Sequence, residues 1–463
     1  MSPRLLRREL PWQPPWPLVC HLSGALGAEG LVWLDGQVEE KPAGIPPPGS
    51  DLASFSYLAV GPVEQRSCRG LPGEPGAADP LALLDELARS GESWLGWLGY
   101  EAAAWVEPAR HWRPPDMAVL WAVRPDPLLV FEHRAQRLQL LGRDPERLER
   151  FTQLISQPGT SPPLPPSAPA LERDGWHWHT DRQHFAGQVR SVQDWIRCGD
   201  LFQANLTACC EQTLPAPASA AELLALYGRL RHRCPAPFGG LAIRAPAGGA
   251  PPSSGETDLE AVLSASPERL LRLSSDGRVE TRPIKGTRPR HADPGEDAAA
   301  AAELVSSPKD RAENVMVVDL LRNDLGRVCL PGSIRVPQLV GLESYRSVHH
   351  LTSVVEGQLR PGAGIVDLVT ACWPGGSISG APKIRACSRL SALEPVARGP
   401  YCGSLFRLGP DGSFDSSILI RSVLVRGARF RAHAGCGIVA DSDPEAEADE
   451  MGWKLDPLLD ALA

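Results

Sequence analysis

Two segments of this chain place carboxylates where a hard cation could bind. The first reads Asp310-Arg-Ala-Glu313-Asn-Val-Met-Val-Val-Asp319-Leu-Leu-Arg322-Asn-Asp324. Val315, Met316, Val318 and Leu321 are mostly spaced for the buried face of a helix. Glu313 falls near its N-terminal turn, where the helix dipole favours a negative charge. Taken alone, it reads as a capping or surface glutamate. The second segment lies near the C-terminus. Glu447 and Glu450 share a helix face, and Lys454 follows Glu450 by four. Taken alone, that is a solvated Glu–Lys face. Magnesium is commonly held by one or two protein carboxylates, with anionic substrate oxygens and water completing its shell. Two helices that each offer a carboxylate could supply that.

A nucleophile and a proton donor are also in reach. In Thr281-Arg-Pro-Ile-Lys285-Gly-Thr-Arg-Pro-Arg290, Lys285 follows an extended, proline-stiffened stretch. An amine held out of bulk water is a nucleophile, whereas an exposed strand-end lysine is inert. Ser266-Pro267-Glu268 ends the preceding strand. A partly buried glutamate there could protonate a leaving hydroxyl, and a turn residue is the rival reading. Pro374-Gly-Gly-Ser377-Ile-Ser379-Gly-Ala-Pro-Lys383 could present backbone N–H groups to an anion. It is not a P-loop, because Ala381 and Pro382 intervene before the lysine. Gly435-Cys436-Gly437 could cradle a carboxylate or make a tight turn. Arg421 sits in the apolar run Ser417-Ile-Leu-Ile-Arg-Ser-Val, read as strand. An arginine there needs a partner, either a bidentate ligand carboxylate or a structural salt bridge.

The elements that must position these groups are legible in outline. Helices are expected over residues 81–89, 184–197, 308–324 and 444–462. Ser307 can cap the third, Pro308 suits its first turn, and Gly326 lies just past its end. Strands are expected over 94–100, 128–132, 419–425 and 430–434, with a strand pair over 269–283 about Ser275-Asp276-Gly277. Breaker-rich stretches occupy 41–50, 157–169 and 245–256. The last reads as a surface loop between strands at 238–243 and 259–263. Strands and helices do not alternate strictly, so the fold class is α+β. The division is an N-terminal region 1–156, a Pro-rich linker 157–170 and a catalytic domain 171–463.

The bulk numbers bound the function. The chain has 463 residues, 43% hydrophobic and 22% charged, with net charge −8. That is a globular composition with room for an interior site. The acidic balance argues against nucleic acid. No apolar run of spanning length occurs, so no membrane span is expected. No secretory signal is legible, since prolines, His21 and Glu29 interrupt the candidates. The 11 cysteines are scattered, as in a reduced cytoplasmic protein.

In this order the motifs resemble the chorismate-utilising enzymes, which include anthranilate, aminodeoxychorismate, isochorismate and salicylate synthases. The resemblance runs from Gly199-Asp-Leu-Phe-Gln203-Ala-Asn-Leu to Lys454, more than half of the chain. It implies an anthranilate synthase component I-like fold, with mixed or antiparallel sheets and helices around a central chorismate site. It implies magnesium ligands at Glu313 and Glu450, assisted by Glu447, holding the ring carboxylate of chorismate. Arg421, Tyr401 and the backbone of Gly435 and Gly437 would take the enolpyruvyl carboxylate. Glu268 would be the general acid for loss of the 4-hydroxyl. His350 would lie beside the reacting ring, with Thr287 and Ser379 as polar lining.

Two positions discriminate among the members. Isochorismate and salicylate synthases have a water-activating lysine near the position of Gln203, and glutamine is no base. Anthranilate synthases read Pro-Ile-Ala-Gly-Thr where this chain reads Pro283-Ile-Lys285-Gly-Thr287, which resembles aminodeoxychorismate synthases. Gly375-Gly376-Ser377 resembles the latter too. The resemblance then implies attack of Lys285 at C2, loss of the 4-hydroxyl and entry of ammonia at C4. No glutaminase-like nucleophile motif is found, so a separate glutamine amidotransferase subunit is the expected partner. Leu10-Pro11-Trp12 and Trp97-Leu98-Gly99-Tyr100-Glu101 resemble N-terminal segments of the family, where relatives often carry a tryptophan pocket. The usual Leu-Leu-Glu-Ser of anthranilate synthases is replaced by His21-Leu22-Ser23-Gly24, which argues against feedback control by tryptophan. Two rival expectations are an anthranilate synthase subunit and a non-catalytic, ligand-sensing or scaffolding paralogue.

Overall fold

The computed structural model describes residues 4–36, 54–157, 168–246, 258–345 and 348–463. The stretch 41–50 lies outside the described residues, as do most of 157–169 and 245–256.

Among the described residues the strands form two large antiparallel sheets, of 12 and 10 strands. Both draw strands from either side of the segment at 157–170. In the larger sheet, Val32–Asp35 pairs with Phe238–Arg244, and Arg429–Ile438 pairs with Gln203–Thr213. In the smaller, Trp94–Leu98 pairs with Ser404–Leu408, and Ile284–Pro289 pairs with Val348–Gln358 at one end.

The period-two geometry of strands sorts their side chains into two cores. Val32, Ala242, Val262 and Leu424 pack with Trp97, Trp121, Leu271 and Phe406 of the smaller sheet. Their neighbours Trp33, Leu241, Leu263 and Val423 face the other way. There they meet the helices Arg182–Arg197, Ala220–Arg233 and Pro444–Leu462, through Phe185, Leu226 and Leu455. This is an α+β architecture.

The expected helices form, with small shifts at their ends. Pro308–Gly326 is capped by Ser307, whose Oγ accepts from Asp310 N–H at 3.3 Å. Gly326 falls inside its last turn. In Pro444–Leu462, Asp443 caps by accepting from Ala446 N–H at 2.8 Å. The strand at 94 ends at Leu98, and Tyr100 enters a 3-10 turn. The 269–283 segment is a hairpin of Arg269–Leu273 and Arg278–Thr281. Among the described residues no helix is long and apolar enough to cross a membrane.

One expectation is corrected. Arg421 is not inside a strand. Its φ is +49°, a left-handed conformation uncommon for arginine, and the strand begins at Ser422. Its carbonyl still accepts from Ala265 N–H at 3.0 Å, so the chain kinks just before the strand begins. The apolar run concealed that kink, because Ile418 and Leu419 are buried without belonging to a strand.

Candidate functional site

Gly437 marks where the separated motifs meet. It lies opposite Asn205, and Gly435 opposite Thr207, in the pairing of Arg429–Ile438 with Gln203–Thr213. A Cβ on Gly437 would stand 2.6 Å from Gln203 Nε2, 3.1 Å from Lys285 Nζ and 3.5 Å from Glu313 Oε2. A strand, a second strand of the other sheet and a helix therefore bring their functional groups to one bare stretch of backbone. Gly437→Ala fills that space. It should cost about 10²-fold in kcat/KM, the scale of a misplacement near 1 Å, with the fold retained by circular dichroism.

Lys285 is aimed there by a bulge. Ile284–Pro289 pairs with Val348–Gln358, and the register slips between Lys285 and Thr287. Gly286 sits at the slip with φ +78°, a conformation glycine adopts freely. Beyond it Thr287 lies opposite His350, and its Oγ1 is 2.8 Å from His350 Nδ1. Burial pushes the pKa of His350 down to about 3, with nearby Arg421 adding to the effect, so the imidazole is neutral. Among the described residues its buried Nε2 has no hydrogen-bond partner.

Glu268 stands between two strands, just after Ser266 and Pro267. It is buried, and burial pushes its carboxyl up to about 7. Ser377 Oγ donates to its Oε1 at 3.0 Å. That bond, Lys285, the Ile284 N–H and Arg421 all pull the other way without offsetting burial. The result is a carboxyl that carries a proton near neutral pH. Arg421 is partly buried and forms no ion pair among the described residues. Burial lowers its pKa, against Cys234 and Glu268, which push it up. A guanidinium in such a place can receive an anionic ligand.

Carboxylates gather on the opposite wall. Oxygens of Glu447 and Glu450 and the Sγ of Cys436 lie within 4.8 Å of one another. Glu447 is buried and accepts from Ser442 Oγ at 2.7 Å and Lys309 Nζ at 3.1 Å. Lys454 Nζ is 2.7 Å from Glu450 Oε1 and donates to Gly435 O at 2.9 Å. Burial raises the pKa of Glu450, but Lys454, Lys309 and Lys285 outweigh it and hold the group below its usual value. Glu313 behaves oppositely. Burial raises it and Glu447 adds to the rise, against Lys285 and Lys309. One carboxylate thus repels another across the site. An oxygen-rich set of this kind fits a hard divalent cation.

The other expected residues lie around this point. Tyr401 is buried and stacks on His433, with ring centroids 4.8 Å apart. His433 precedes Gly435 and Gly437 at alternate positions of one strand, so all three share a face. Ser379 Oγ donates to Gly375 O at 2.9 Å, so its hydroxyl holds its own turn. Gln203 is buried at the start of its strand. The motif reading missed the bond from Ser377 to Glu268, the contact of Lys309 with Glu447, and Cys436 beside the carboxylates. Only Cys436 carried a local signal, since the chain puts it between the two glycines.

A separate cavity of about 310 Å³ opens between the sheets. Asp35, Tyr57, Phe238, Arg272, Arg407 and Phe414 are among its walls.

Comparison with known proteins gives the family and the fold. The chain is 36% identical over 446 residues to anthranilate synthase component 1 of Streptomyces coelicolor, covering 90% of this chain and 82% of that one. It is 38% identical to aminodeoxychorismate synthase component 1 of Salmonella typhimurium, over 80% of this chain and 76% of that one. Its fold matches the crystal structure of anthranilate synthase component I from Streptococcus pneumoniae with a TM-score of 0.72, at 28% identity over 91% and 95% of the two chains. The menaquinone-specific isochorismate synthase of Escherichia coli shares the fold at 17% identity, with a TM-score of 0.70 and coverage of 100% and 95%. The family model described as chorismate binding enzyme matches residues 61–460, and the chain belongs to that family.

Proposed function

We propose that this chain aminates chorismate at C4 to give 4-amino-4-deoxychorismate, the precursor of para-aminobenzoate and folate. The observation that carries the reading is Lys285, whose Nζ lies beside Gly437, Gln203 and Glu313. Relatives of both aminating kinds stand at similar identity, 36% and 38%, so overall similarity does not choose the product. Lys285 supports the C4-amination reading, because an amine at that point can act covalently where an alanine cannot.

In the proposed sequence the Nζ lone pair of Lys285 bonds to C2. The two ring double bonds shift, from C1–C2 and C5–C6 to C1–C6 and C4–C5, and the C4–O bond breaks as Glu268 gives its proton to the departing hydroxyl, which leaves as water. Ammonia then bonds to C4, both double bonds return, and the C2–N bond to Lys285 breaks. The incoming nitrogen releases one proton to Glu268, restoring the acid. The sum is chorismate plus ammonia giving the amino product and water. Arg421 and the Gly435 and Gly437 backbone would receive the enolpyruvyl carboxylate. Neutral His350 would lie against the ring, held by Thr287. Tyr401, Ser379 and Gln203 would complete the lining. Glu313, Glu450 and Glu447 would hold Mg²⁺, which when bound neutralises the ring carboxylate.

Removing the metal should leave the fold intact and abolish tight chorismate binding. Glu313→Gln and Glu450→Gln should each weaken Mg²⁺ binding by roughly 10-fold or more, read by calorimetry on the unliganded chain. The ammonia would come from glutamine through a separate amidotransferase subunit, in the cytoplasm. The experiment for the reading is identification of the product from chorismate, Mg²⁺ and ammonium by chromatography and mass. A non-aromatic amino product that keeps its pyruvyl group is expected. Fluorescent anthranilate would give the anthranilate synthase reading instead. No turnover, even with an amidotransferase added, would favour the non-catalytic reading. Against that last reading, Glu268, Lys285, Glu313, Arg421 and Glu450 are all retained, although unpaired buried charge is costly.

A further inference from the structure

Arg398 has no part in the chemistry above, yet it is among the largest fully buried side chains of the protein. A guanidinium withdrawn from water must find partners for its donors. Nε and Nη2 donate to the two oxygens of Glu394, at 2.9 and 2.6 Å. Nη1 donates to Ile378 O and Nη2 to Asn205 O, each at 2.8 Å. The guanidinium carbon lies 4.6 Å from the centroid of the Tyr100 ring, and Arg398 N–H donates to Glu101 Oε1 at 2.9 Å. Glu394 also accepts from Thr207 N–H at 3.1 Å.

These bonds have a direction. Asn205 and Thr207 are the residues facing Gly437 and Gly435. Ile378 ends the turn Gly376–Ile378, and Ser377 in that turn donates to Glu268. Asn205 N–H donates to Ser379 O at 2.9 Å and closes the clamp from the other side. Net stability explains such a pair poorly, since apolar residues of similar volume often replace a buried ion pair without loss. A fixed fork with several bonds does set geometry.

We propose that Arg398 is a positioning residue for Glu268: by pinning Ile378 to the strand at Asn205, it holds Ser377 against the proton donor. This rests on the reading of Glu268 as that donor. Among the described residues Glu268 is faced by Ser377 from the turn, by Lys285 and the Ile284 N–H from the strand Ile284–Pro289, and by Arg421. Of these only Ser377 is carried by the segment that Arg398 bonds.

The test is the titration of Glu268 in the unliganded full chain, followed by NMR of ¹³C-labelled glutamate and assigned with Glu268→Gln. Ser377 holds the carboxyl down, so Ser377→Ala should move the midpoint upward by roughly half a unit or more. Arg398→Lys keeps the charge but cannot span Ile378, Asn205 and Glu394 together, and should move the midpoint in the same direction. Its kcat should fall about 10-fold with KM changed less than about 3-fold. If Arg398→Lys does not fold, Glu394→Gln takes its place, since the amide oxygen still serves Thr207. A folded variant at Arg398 or Glu394 whose midpoint stays at the wild-type value, or moves down, overturns the proposal. The titration needs no turnover, so it stands or fails separately from the identity of the product.

Discussion

Lys285→Ala should reduce amination of chorismate by at least about 10³-fold, the scale on which enzymes lose a covalent nucleophile. The expectation follows from where Nζ lies. It stands within reach of the Gly437 backbone and close enough to bias both Glu268 and Glu313. The side chain is only partly buried, so truncation removes little apolar packing and the chain should fold. Losing Lys285 should also raise the pKa of Glu268 and Glu313, since it lowers both. Single-turnover kinetics with saturating ammonium checks the rate, and calorimetry with chorismate checks that the site still binds. A variant that keeps a tenth or more of the activity would leave Lys285 with an electrostatic role alone.

Glu268→Gln should lower kcat by about 10² to 10⁴-fold, the range of general acid catalysis. The glutamine keeps an acceptor for Ser377 but has no proton to give. The sign of the pH dependence follows from burial. Glu268 titrates at about 7, so it is protonated below that pH and ionised above it. Loss of hydroxide needs the protonated form, so wild-type kcat/KM should fall as pH rises through about 7. The residual activity of the variant should lack that limb. The same shift links to stability. Between about 4.5 and 7 the folded chain keeps a proton on Glu268 that the unfolded chain has lost. This group therefore contributes stability that is fully present below that window and lost as pH rises through about 7. Glu268→Gln should remove that slope from pH-dependent denaturant melts.

Much of this was legible in the sequence because chemistry and local structure coincide in the same motifs. Pro444–Leu462 could be read to its ends, since Asp443, Pro444 and the spacing of its apolar residues all agree. The helix bearing Glu313 was equally plain, with Ser307 and Pro308 at its start. What the chain did not disclose is the work of contacts across long separations. Ser377 and Glu268 are 109 residues apart, and Lys309 and Glu447 are 138 apart. No periodicity encodes such pairs. Arg421 misled for a different reason. Buried apolar neighbours suggest a strand, but hydrophobicity does not record a left-handed φ. Arg398 was invisible because a single arginine outside every motif looks like a solvated charge.

The central claim is that Lys285 bonds to the substrate, and intact mass spectrometry of the quenched protein tests it most directly. The chain is mixed with chorismate and Mg²⁺ without ammonia, stopped in acid and weighed, and the modified peptide is then located. The account predicts an adduct of chorismate less one water on Lys285. It should be absent in Lys285→Ala, slower to form in Glu268→Gln, and lost when ammonium is added before the quench. A wild-type chain that aminates chorismate at full rate with no adduct on any time scale would contradict it.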